Sequence, residues 1–222
     1  FSKRELAENT ELIFICVQTP NGSGNKQNLF QLYSVAKEFY NLSVATKVPP
    51  LIIKSTVLPG TCNLLNKLYS PNLHFSSVPE FLRQKTAETD VLFTDRTVIG
   101  TDNAEVAERL QEIFSNFGGT YHTDATTSEF VKYASNIFLT LKVAYCLEIN
   151  SLAKKLGADG VSIMDAVGLD KRIGASHLNP LLGKIPKDSP CLPKDLRAFN
   201  TFLKEQQKLS MLLNIIEELS LE

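Results

Sequence analysis

The chain reads Glu11-Leu-Ile-Phe-Ile-Cys-Val17 near its start, and this run of apolar residues decides the fold class. A run without polar alternation is typical of a strand buried on both faces of a parallel sheet. Cys16 is accordingly expected to be a buried, small apolar side chain. A second such run, Leu51-Ile-Ile-Lys-Ser-Thr-Val57, follows a helical pattern over residues 29–44.

The alternation of strand and helix patterns continues to His122. Residues 61–69 read as a short helix and residues 104–117 as an amphipathic helix closed by glycines. Residues 74–78, 96–100 and 119–122 read as strands. Such alternation predicts an α/β fold, with a partial Rossmann-like parallel sheet over residues 1–123.

From Asp124 onward the pattern becomes purely helical. Thr126-Thr-Ser-Glu129 reads as a capping box that opens a long helix over residues 128–156, about 43 Å at 1.5 Å per residue. A shorter helix follows, then a loop-rich stretch to Pro193 and a final amphipathic helix over residues 196–219. Residues 124–222 are therefore predicted to form an all-α central domain whose long helix spans domains or a dimer.

Composition excludes several classes of protein. Hydrophobic residues make up 43% of the 222 residues, which excludes a disordered chain, and the net charge of −1 favours neither nucleic acid nor an anionic membrane. No apolar run approaches the roughly 20 residues that span a bilayer. The four cysteines are scattered and the three histidines have no ligand-like spacing, so neither a metal site nor a disulfide framework is expected. A reducing cytoplasm is the expected location.

Two short segments hold the residues best suited to chemistry. In Glu129-Phe-Val-Lys-Tyr-Ala-Ser-Asn136, Lys132 and Asn136 are four residues apart and project from one helical face. Lys132 either belongs to a solvated salt-bridge face or, because its helix is apolar nearly all round, is semi-buried with a partner or ligand. In Cys191-Leu-Pro-Lys-Asp195, a thiol beside a lysine is either an activated nucleophile or an incidental loop cysteine.

Polar residues also stand where the predicted parallel strands end. Thr19 and Thr56 each follow a strand, and Glu80 follows the next one. Ligands of open α/β sheets bind at this edge, and a glutamate there can act as a general base. The alternative for each residue, taken singly, is a turn or capping role.

Short motifs along most of the chain resemble the UDP-glucose/GDP-mannose dehydrogenase family of nucleotide-sugar 6-dehydrogenases. They occur in the family's order, which makes chance implausible. The matching pieces are Phe14-Ile-Cys-Val-Gln-Thr-Pro20, Ser55-Thr-Val57, Pro79-Glu-Phe-Leu-Arg83, Arg96-Thr-Val-Ile-Gly100, Glu129-Phe-Val-Lys-Tyr-Ala-Ser-Asn136, Lys155-Leu-Gly-Ala-Asp159, Gly168-Leu-Asp-Lys-Arg-Ile-Gly174 and Cys191-Leu-Pro-Lys-Asp195.

The resemblance implies an enzyme that uses two NAD to oxidise the C6 alcohol of a nucleotide sugar, with UDP-glucose expected, to a carboxylate. Cys191 would form the thiohemiacetal and then the thioester. Lys132 and Asn136 would hold and polarise the C6 oxygen, as an oxyanion site does. Asp195 would assist proton transfer through water, and Glu80 would help to hydrolyse the thioester.

Further roles follow from the same resemblance. Thr56 would position a water and, with Thr19 and Lys194, lie near the cofactor. The substrate would contact Lys132, Asn136 and the residues Glu80, Phe81, Leu82 and Arg83. Arg172 would reach the substrate of a neighbouring subunit, in a homodimer formed through the helix over residues 128–156.

The chain also departs from the family pattern. Gln84 stands where the family has a second glutamate, and residues 183–190, which lead into Cys191, are longer and stiffer than the usual glycine-rich stretch. No Gly-x-Gly-x-x-Gly occurs, so the first half of the dinucleotide fold is expected before residue 1, and a nucleotide-gripping domain after residue 222. The chain alone is therefore expected to be inactive.

Two alternatives to a UDP-glucose dehydrogenase stay open at this point. One is a degenerate relative that binds a nucleotide sugar, or acts as a structural dimer, without catalysis. The other is the GDP-mannose or UDP-N-acetylmannosamine branch of the same family.

Overall fold

The computed structural model describes residues 2–83, 86–185, 191–208 and 210–221. These residues pack as two compact units. The first unit comprises the described residues within 1–20 and 27–132, and the second comprises residues 21–26 and those described within 133–222. Each unit is described by itself below.

A mixed β-sheet forms the centre of the first unit. In the described part of the chain its strands are β1 (Ile13–Ile15), β2 (Leu51–Ile53), β3 (Phe75–Ser77), β4 (Arg96–Gly100) and β5 (Gly119–Thr123), in that spatial order. Strand β1 pairs parallel with β2, β2 with β3, and β4 with β5. Strands β1 and β2 are short and apolar, and both lie within the predicted apolar runs.

The sheet differs from the prediction in one pairing. Strands β3 and β4 are antiparallel, joined where Ser77 pairs with Gly100. An apolar run reports that a strand is buried but not which way the strand points, so this reversal has no signature in the sequence. The α/β class and the long helix are confirmed.

The prediction for the first apolar run is partly wrong. Strand β1 alternates in burial, with Ile13 and Ile15 buried and Phe14 exposed, and Cys16 is exposed rather than buried. Strand β1 lies at the edge of the described sheet, so it has a neighbouring strand on one side only. Its side chains are therefore less covered than those of a central strand. The side chain of Phe14 instead packs edge-on against Phe114, with ring centroids 6.2 Å apart.

Helices flank the sheet and supply the rest of the first core. They are α1 (Lys3–Asn9), α2 (Phe30–Leu42), α3 (Thr61–Tyr69), α4 (Ala87–Leu92) and α5 (Ala104–Phe114). Leu32, Ala36 and Phe39 of α2 are buried in the main core cluster, as the helical spacing predicted. Helix α5 begins after Asn103, whose side chain accepts from Val106 N at 3.1 Å.

The long helix α6 (Ala125–Lys155) starts earlier than predicted. The predicted capping box is wrong: Asp124 provides the cap, because its Oδ1 accepts from Thr127 N at 2.9 Å and its Oδ2 from Thr127 Oγ1 at 2.5 Å. Glu129, the expected partner in the box, binds elsewhere. An Asp two residues ahead of Thr126 is an equally good N-cap, and the sequence alone does not separate the two.

The second unit is helical. Besides the later part of α6 it contains α7 (Gly160–Gly168), α8 (Leu192–Glu205) and α9 (Met211–Ser220), with a 3₁₀ turn at Pro180–Leu182. The single predicted helix over residues 196–219 is therefore two helices. Helix α8 ends in a Schellman-type turn, with Gln207 at φ 56° and Lys208 N donating to Leu203 O at 2.8 Å.

Among the helices of the described residues, none combines the length and the apolar character that crossing a bilayer requires.

Helix α3 offers a matched test of the first core. Leu65 is fully buried in the core cluster, whereas Leu68 of the same helix is 56% exposed. We expect Leu65→Ala to lower the free energy of unfolding by about 2–5 kcal/mol, because it removes buried methyl groups and leaves a cavity. Leu68→Ala should change it by less than about 0.5 kcal/mol. Urea titrations of both variants measure the difference, and equal losses would contradict this packing.

Candidate active site

Two strand-end threonines of the first unit are held together by hydrogen bonds. Thr19 follows β1 and donates from Oγ1 to the carbonyl oxygen of Thr56, after β2, at 2.7 Å. Gln27 donates from Nε2 to the same oxygen at 2.8 Å and accepts from Leu58 N at 3.0 Å. The turn that begins at Thr56 is thus clamped by a side-chain amide. No sequence pattern singles out Gln27, since an amide in a loop has no distinctive neighbours.

Glu80 follows β3 and has a cation beside it. Its Oε2 lies 2.9 Å from the ammonium of Lys54, and its Oε1 accepts from Phe81 N at 3.0 Å. The Glu80 side chain is 37% exposed, so solvent can reach it. Lys54 was missed as a site residue, although its position as the one charge within an apolar strand run was a usable signal.

The ring of Phe81 has two cations near it. The Arg96 guanidinium carbon lies 4.3 Å from the ring centroid, and the Lys132 ammonium lies 5.3 Å from it. Both distances are within the range of cation–π attraction. Lys132 is only 9% exposed, which excludes the solvated salt-bridge face and agrees with a semi-buried lysine.

A cavity of about 170 Å³ opens beside Glu80 and Phe81. Lys54, Arg96 and Phe114 also line it. Ligand pockets usually measure about 300–1,000 Å³, so this cavity can take only a fragment of a nucleotide sugar.

The side chain of Arg83 forms an ion pair with Asp90, in the same unit. Its guanidinium binds Asp90 at 3.0 Å and 2.5 Å, and its backbone N–H donates to the same carboxylate at 2.8 Å. These bonds, with those of Thr86, hold the pKa of Asp90 well below its usual value. Leu82 beside it is half-buried. Gln84, the departure from the family pattern, lies outside the described residues.

Glu129 connects α6 to α3 within the first unit. It is 1% exposed, and its carboxylate accepts from Gly60 N at 2.6 Å and from Cys62 N at 2.8 Å. Burial raises the pKa of Glu129, although the backbone hydrogen bonds oppose this shift. Burial, together with the Glu129 charge, also raises the pKa of the Cys62 thiol well above its ordinary value.

In the second unit, Asp195 is the centre of a buried polar network. It is 1% exposed and accepts from Asn136 Nδ2 at 2.5 Å and from Lys194 Nζ at 2.5 Å. Asn136 is itself 6% exposed. The structure therefore brings together three residues that the sequence singled out from segments 59 positions apart.

Cys191 is the N-cap residue of α8 and is exposed. Its carbonyl accepts from Asp195 N at 2.9 Å, so the thiol and the buried carboxylate share the first turn of one helix. The N-terminal N–H groups of a helix favour nearby negative charge. Residues 186–190 of the stretch leading into Cys191 lie outside the described residues.

The loop over residues 21–26 packs on α8, a contact that the sequence did not predict. Asn21 donates from Nδ2 to the carbonyl oxygen of Lys194 at 2.9 Å, and Lys26 forms an ion pair with Glu205. Thr201 Oγ1 lies 3.4 Å from Gly24 O. Residues 21–26 thereby join the second unit and support the helix that carries Cys191.

Arg172 lies on an exposed loop after α7. Its guanidinium binds Asp170 at 2.6 Å, and its side chain is 88% exposed. Lys142 of α6 donates to the carbonyls of Ile173 and Gly174 at 3.0 and 2.8 Å, which ties this loop to the long helix.

The described residues differ in how they suit a metal ion and NAD. Among the described residues, no three His, Cys, Asp or Glu side chains lie together as metal ligands would. For NAD, Thr19 and Thr56 stand where β1 and β2 end, the edge at which open α/β sheets bind their ligands. Lys194, the third predicted contact, has its ammonium on Asp195. Two strand-end residues thus lie where part of a dinucleotide would bind in such a sheet, and no Gly-x-Gly-x-x-Gly for its pyrophosphate occurs in the sequence.

Comparison with known proteins matches both parts of the chain to one family. Residues 2–118 match the NAD binding domain of the UDP-glucose/GDP-mannose dehydrogenase family, and residues 126–219 match the central domain of that family. The resemblance found in the short motifs is therefore confirmed.

Individual relatives agree. A UDP-glucose 6-dehydrogenase of Rickettsia bellii is 38% identical over 213 residues, covering 92% of this chain and 47% of the relative. One of Bacillus subtilis is 37% identical over 195 residues, covering 85% of this chain and 43% of the relative. The solved structure of a UDP-glucose dehydrogenase from Pyrobaculum islandicum superposes with a TM-score of 0.89 at 31% identity, covering 99% of this chain and 52% of that one. The chain thus spans about half the length of these relatives.

The buried Glu129 gives a testable pH dependence. Its pKa is raised in the folded protein, so the folded state holds this proton more tightly than the unfolded state. Stability from this group is therefore present below the ordinary carboxyl pKa and is lost as the pH rises through its raised value. We expect the free energy of unfolding of the wild type, minus that of Glu129→Gln, to fall between pH 4 and pH 7 in urea titrations. A difference that grows with pH would contradict the assignment.

Proposed function

Because the chain belongs to the UDP-glucose/GDP-mannose dehydrogenase family, we propose that the complete gene product oxidises C6 of UDP-glucose to the carboxylate in two NAD-dependent steps. The observation that carries the proposal is the network in which Asn136 and Lys194 hold the buried carboxylate of Asp195, one helical turn from the Cys191 thiol. A buried carboxylate with two side-chain donors beside an exposed thiol suits covalent chemistry on a carbonyl.

The residues matched to the NAD binding domain make NAD the cofactor. When bound, NAD accepts the hydride that leaves C6 in each oxidation. We propose that Thr19 and Thr56, at the ends of β1 and β2, contact it. Lys194 would lie near the cofactor and steady Asp195, whose carboxylate it binds in the structure.

Cys191 is the proposed nucleophile. Its sulfur would add to C6 of the aldehyde to give a thiohemiacetal, and the second oxidation would leave a thioester. The exposed position of Cys191 at the start of α8 supports this role, since the thiol is reachable by a substrate. A reducing cytoplasm would keep the thiol free, and cytoplasmic location is part of the proposal.

Lys132 and Asn136 are proposed to hold the C6 oxygen. They are one turn apart on the continuous helix α6, and both are at least nine-tenths buried. An ammonium and an amide N–H directed at one oxygen stabilise the negative charge that develops on it. Asp195, which already accepts from Asn136, would take up and return protons through a water.

Glu80 is proposed to act in hydrolysis of the thioester, with Thr56 positioning the water. The carboxylate lies 2.9 Å from the Lys54 ammonium and is reached by solvent, which supports a role toward water. Its neighbours Phe81, Leu82 and Arg83 would contact the substrate. Arg83 binds Asp90 in the structure, so substrate contact by its guanidinium would require exchange of that partner.

We further propose that the protein is a homodimer formed through α6. Phe138, Tyr145 and Leu152 recur every seven residues, and their exposed fractions are 60%, 46% and 41%. Such a heptad stripe on a 31-residue helix is what a second copy of the helix would cover. Arg172, exposed on its anchored loop, would then reach the substrate of the neighbouring subunit.

Substitution of Cys191 tests the enzymatic proposal. With UDP-glucose and NAD, we expect Cys191→Ser in the complete gene product to lower the rate of NADH formation at least about 100-fold, because the thioester cannot form. Cys16→Ser, which changes the other exposed cysteine, should keep the wild-type rate. An unchanged overall rate in Cys191→Ser would refute the nucleophile.

The same assay separates the alternatives. Faster NADH formation with GDP-mannose or UDP-N-acetylmannosamine than with UDP-glucose would assign the protein to that branch. Binding of a nucleotide sugar without NADH formation would favour a non-catalytic binding protein, the reading that Gln84 supports.

Substitution on α6 tests the dimer. We expect Tyr145→Asp to shift the complete gene product from dimer to monomer in sedimentation velocity, because a charge in an apolar interface must be desolvated. Ser151→Asp places the same charge at an exposed position of the same helix outside the stripe and should leave the dimer intact. A Tyr145→Asp protein that sediments as the wild type would contradict this interface.

A further inference from the structure

The N-terminus of α3 is capped from another helix. Gly60 is its N-cap residue and has no side chain, so the N-cap supplies no side-chain acceptor to the first turn of α3, and Thr61 N finds a local one in Leu58 O at 3.1 Å. The carboxylate of Glu129, on α6, accepts from Gly60 N at 2.6 Å and from Cys62 N at 2.8 Å. A charged cap at this end also interacts favourably with the helix dipole.

The connection between β2 and α3 is also held at Thr56. Residues 56–60 of this connection form a turn, and Thr19 and Gln27 both donate to the carbonyl of Thr56. Gly60 has φ 96°, a left-handed conformation that other residues adopt only with strain. Glu129 therefore holds Gly60, the last residue of this turn, while Thr19 and Gln27 hold its first residue, Thr56.

Glu129 is also one turn ahead of Lys132 on α6. Both residues are buried, at 1% and 9% exposure, and the Lys132 ammonium lies 5.3 Å from the ring centroid of Phe81. The position of Lys132 relative to the Thr56 turn thus depends on how the first turns of α6 are joined to α3. The buried bonds of Glu129 to Gly60 and Cys62 make that junction, together with an exposed bond that Asn63 Nδ2 donates to Thr126 Oγ1 at 3.0 Å.

We propose that Glu129, by capping α3 from α6, is a positioning residue that fixes Lys132 against the turn of Thr56. This inference rests on the proposed function, because it assigns a support to two residues of that site. Glu129 acts through the backbone of Gly60 and Cys62 and touches no reacting atom.

Glu129→Gln is the sharpest substitution. The amide keeps the size of the side chain but offers one acceptor oxygen in place of two, and its NH₂ group would face a backbone N–H. One of the two bonds to α3 is lost, and α6 can shift against the turn. Because Lys132 would bind the reacting C6 oxygen, we expect kcat to fall about 10- to 100-fold. KM for UDP-glucose should change less than about twofold, since the nucleotide contacts are untouched.

Ser128→Ala is the matched control. Ser128 precedes Glu129, is fully buried, and bonds Ser77 O at 3.3 Å and Ser77 Oγ at 3.2 Å, so its loss disturbs the same helix without touching α3. We expect a similar loss of thermal stability and an unchanged kcat. An equal fall of kcat in both variants, or no fall in Glu129→Gln, would overturn the proposal. If Glu129→Gln does not fold, Glu129→Asp, which keeps the charge but is too short to reach both N–H groups, decides by the same criterion.

A second readout does not depend on catalysis. Lys132 is nearly inaccessible, so its reductive methylation, followed by mass spectrometry of the complete gene product, should be slow in the wild type and in Ser128→Ala. We expect it to be at least about threefold faster in Glu129→Gln, because a released junction opens locally. Unchanged labelling overturns the positioning role whatever the kinetics show. A wild type that forms no NADH would refute the proposed function, and the labelling would still decide the role of Glu129.

Discussion

A carboxylate removed from water must be matched by hydrogen-bond donors, and this requirement organises both units of the molecule. In the first unit, Glu129 satisfies it with two backbone N–H groups of α3. In the second, Asp195 satisfies it with the side chains of Asn136 and Lys194. Removal of either set of donors would leave a buried charge unpaired, which costs far more than an exposed ion pair contributes. The hydrogen bonds that make burial of Asp195 tolerable therefore also hold Asn136 and Lys194, two of the residues best suited to chemistry.

Helix α6 carries three of the buried polar residues at a regular spacing. Glu129, Lys132 and Asn136 follow one another at about 1.5 Å rise per residue, and the helix continues without a break to Lys155. Because the three residues lie on one continuous helix, the spacing of their backbone positions is set by helix geometry rather than by loop packing.

How much the sequence predicts depends on whether the signal is local. The apolar runs around Ile13 and Ile52, the helix over 61–69 and the choice of the remote segments that hold Asn136 and Asp195 were all readable from pattern and motif. The antiparallel pairing at Ser77, the break of the last helix at Gln207 and the caps by Asp124 and Glu129 were not. Each of these depends on strand direction, on one unusual dihedral angle, on the choice between two neighbouring capping residues or on a partner over 60 residues away, and hydrophobic spacing encodes none of them.

The clamp at the Thr56 turn has a consequence for the ageing of the protein. The side chain of Gln27 acts there as a peptide group would in a sheet, donating to one backbone carbonyl and accepting from the next available N–H. Deamidation converts such a glutamine to glutamate with almost no change of shape. The donor that faces the Thr56 carbonyl would become a second acceptor, and two oxygens would then repel where a hydrogen bond had been. A slow chemical change at a loop residue would thus loosen the turn after β2 while every other side chain of the unit remained unchanged.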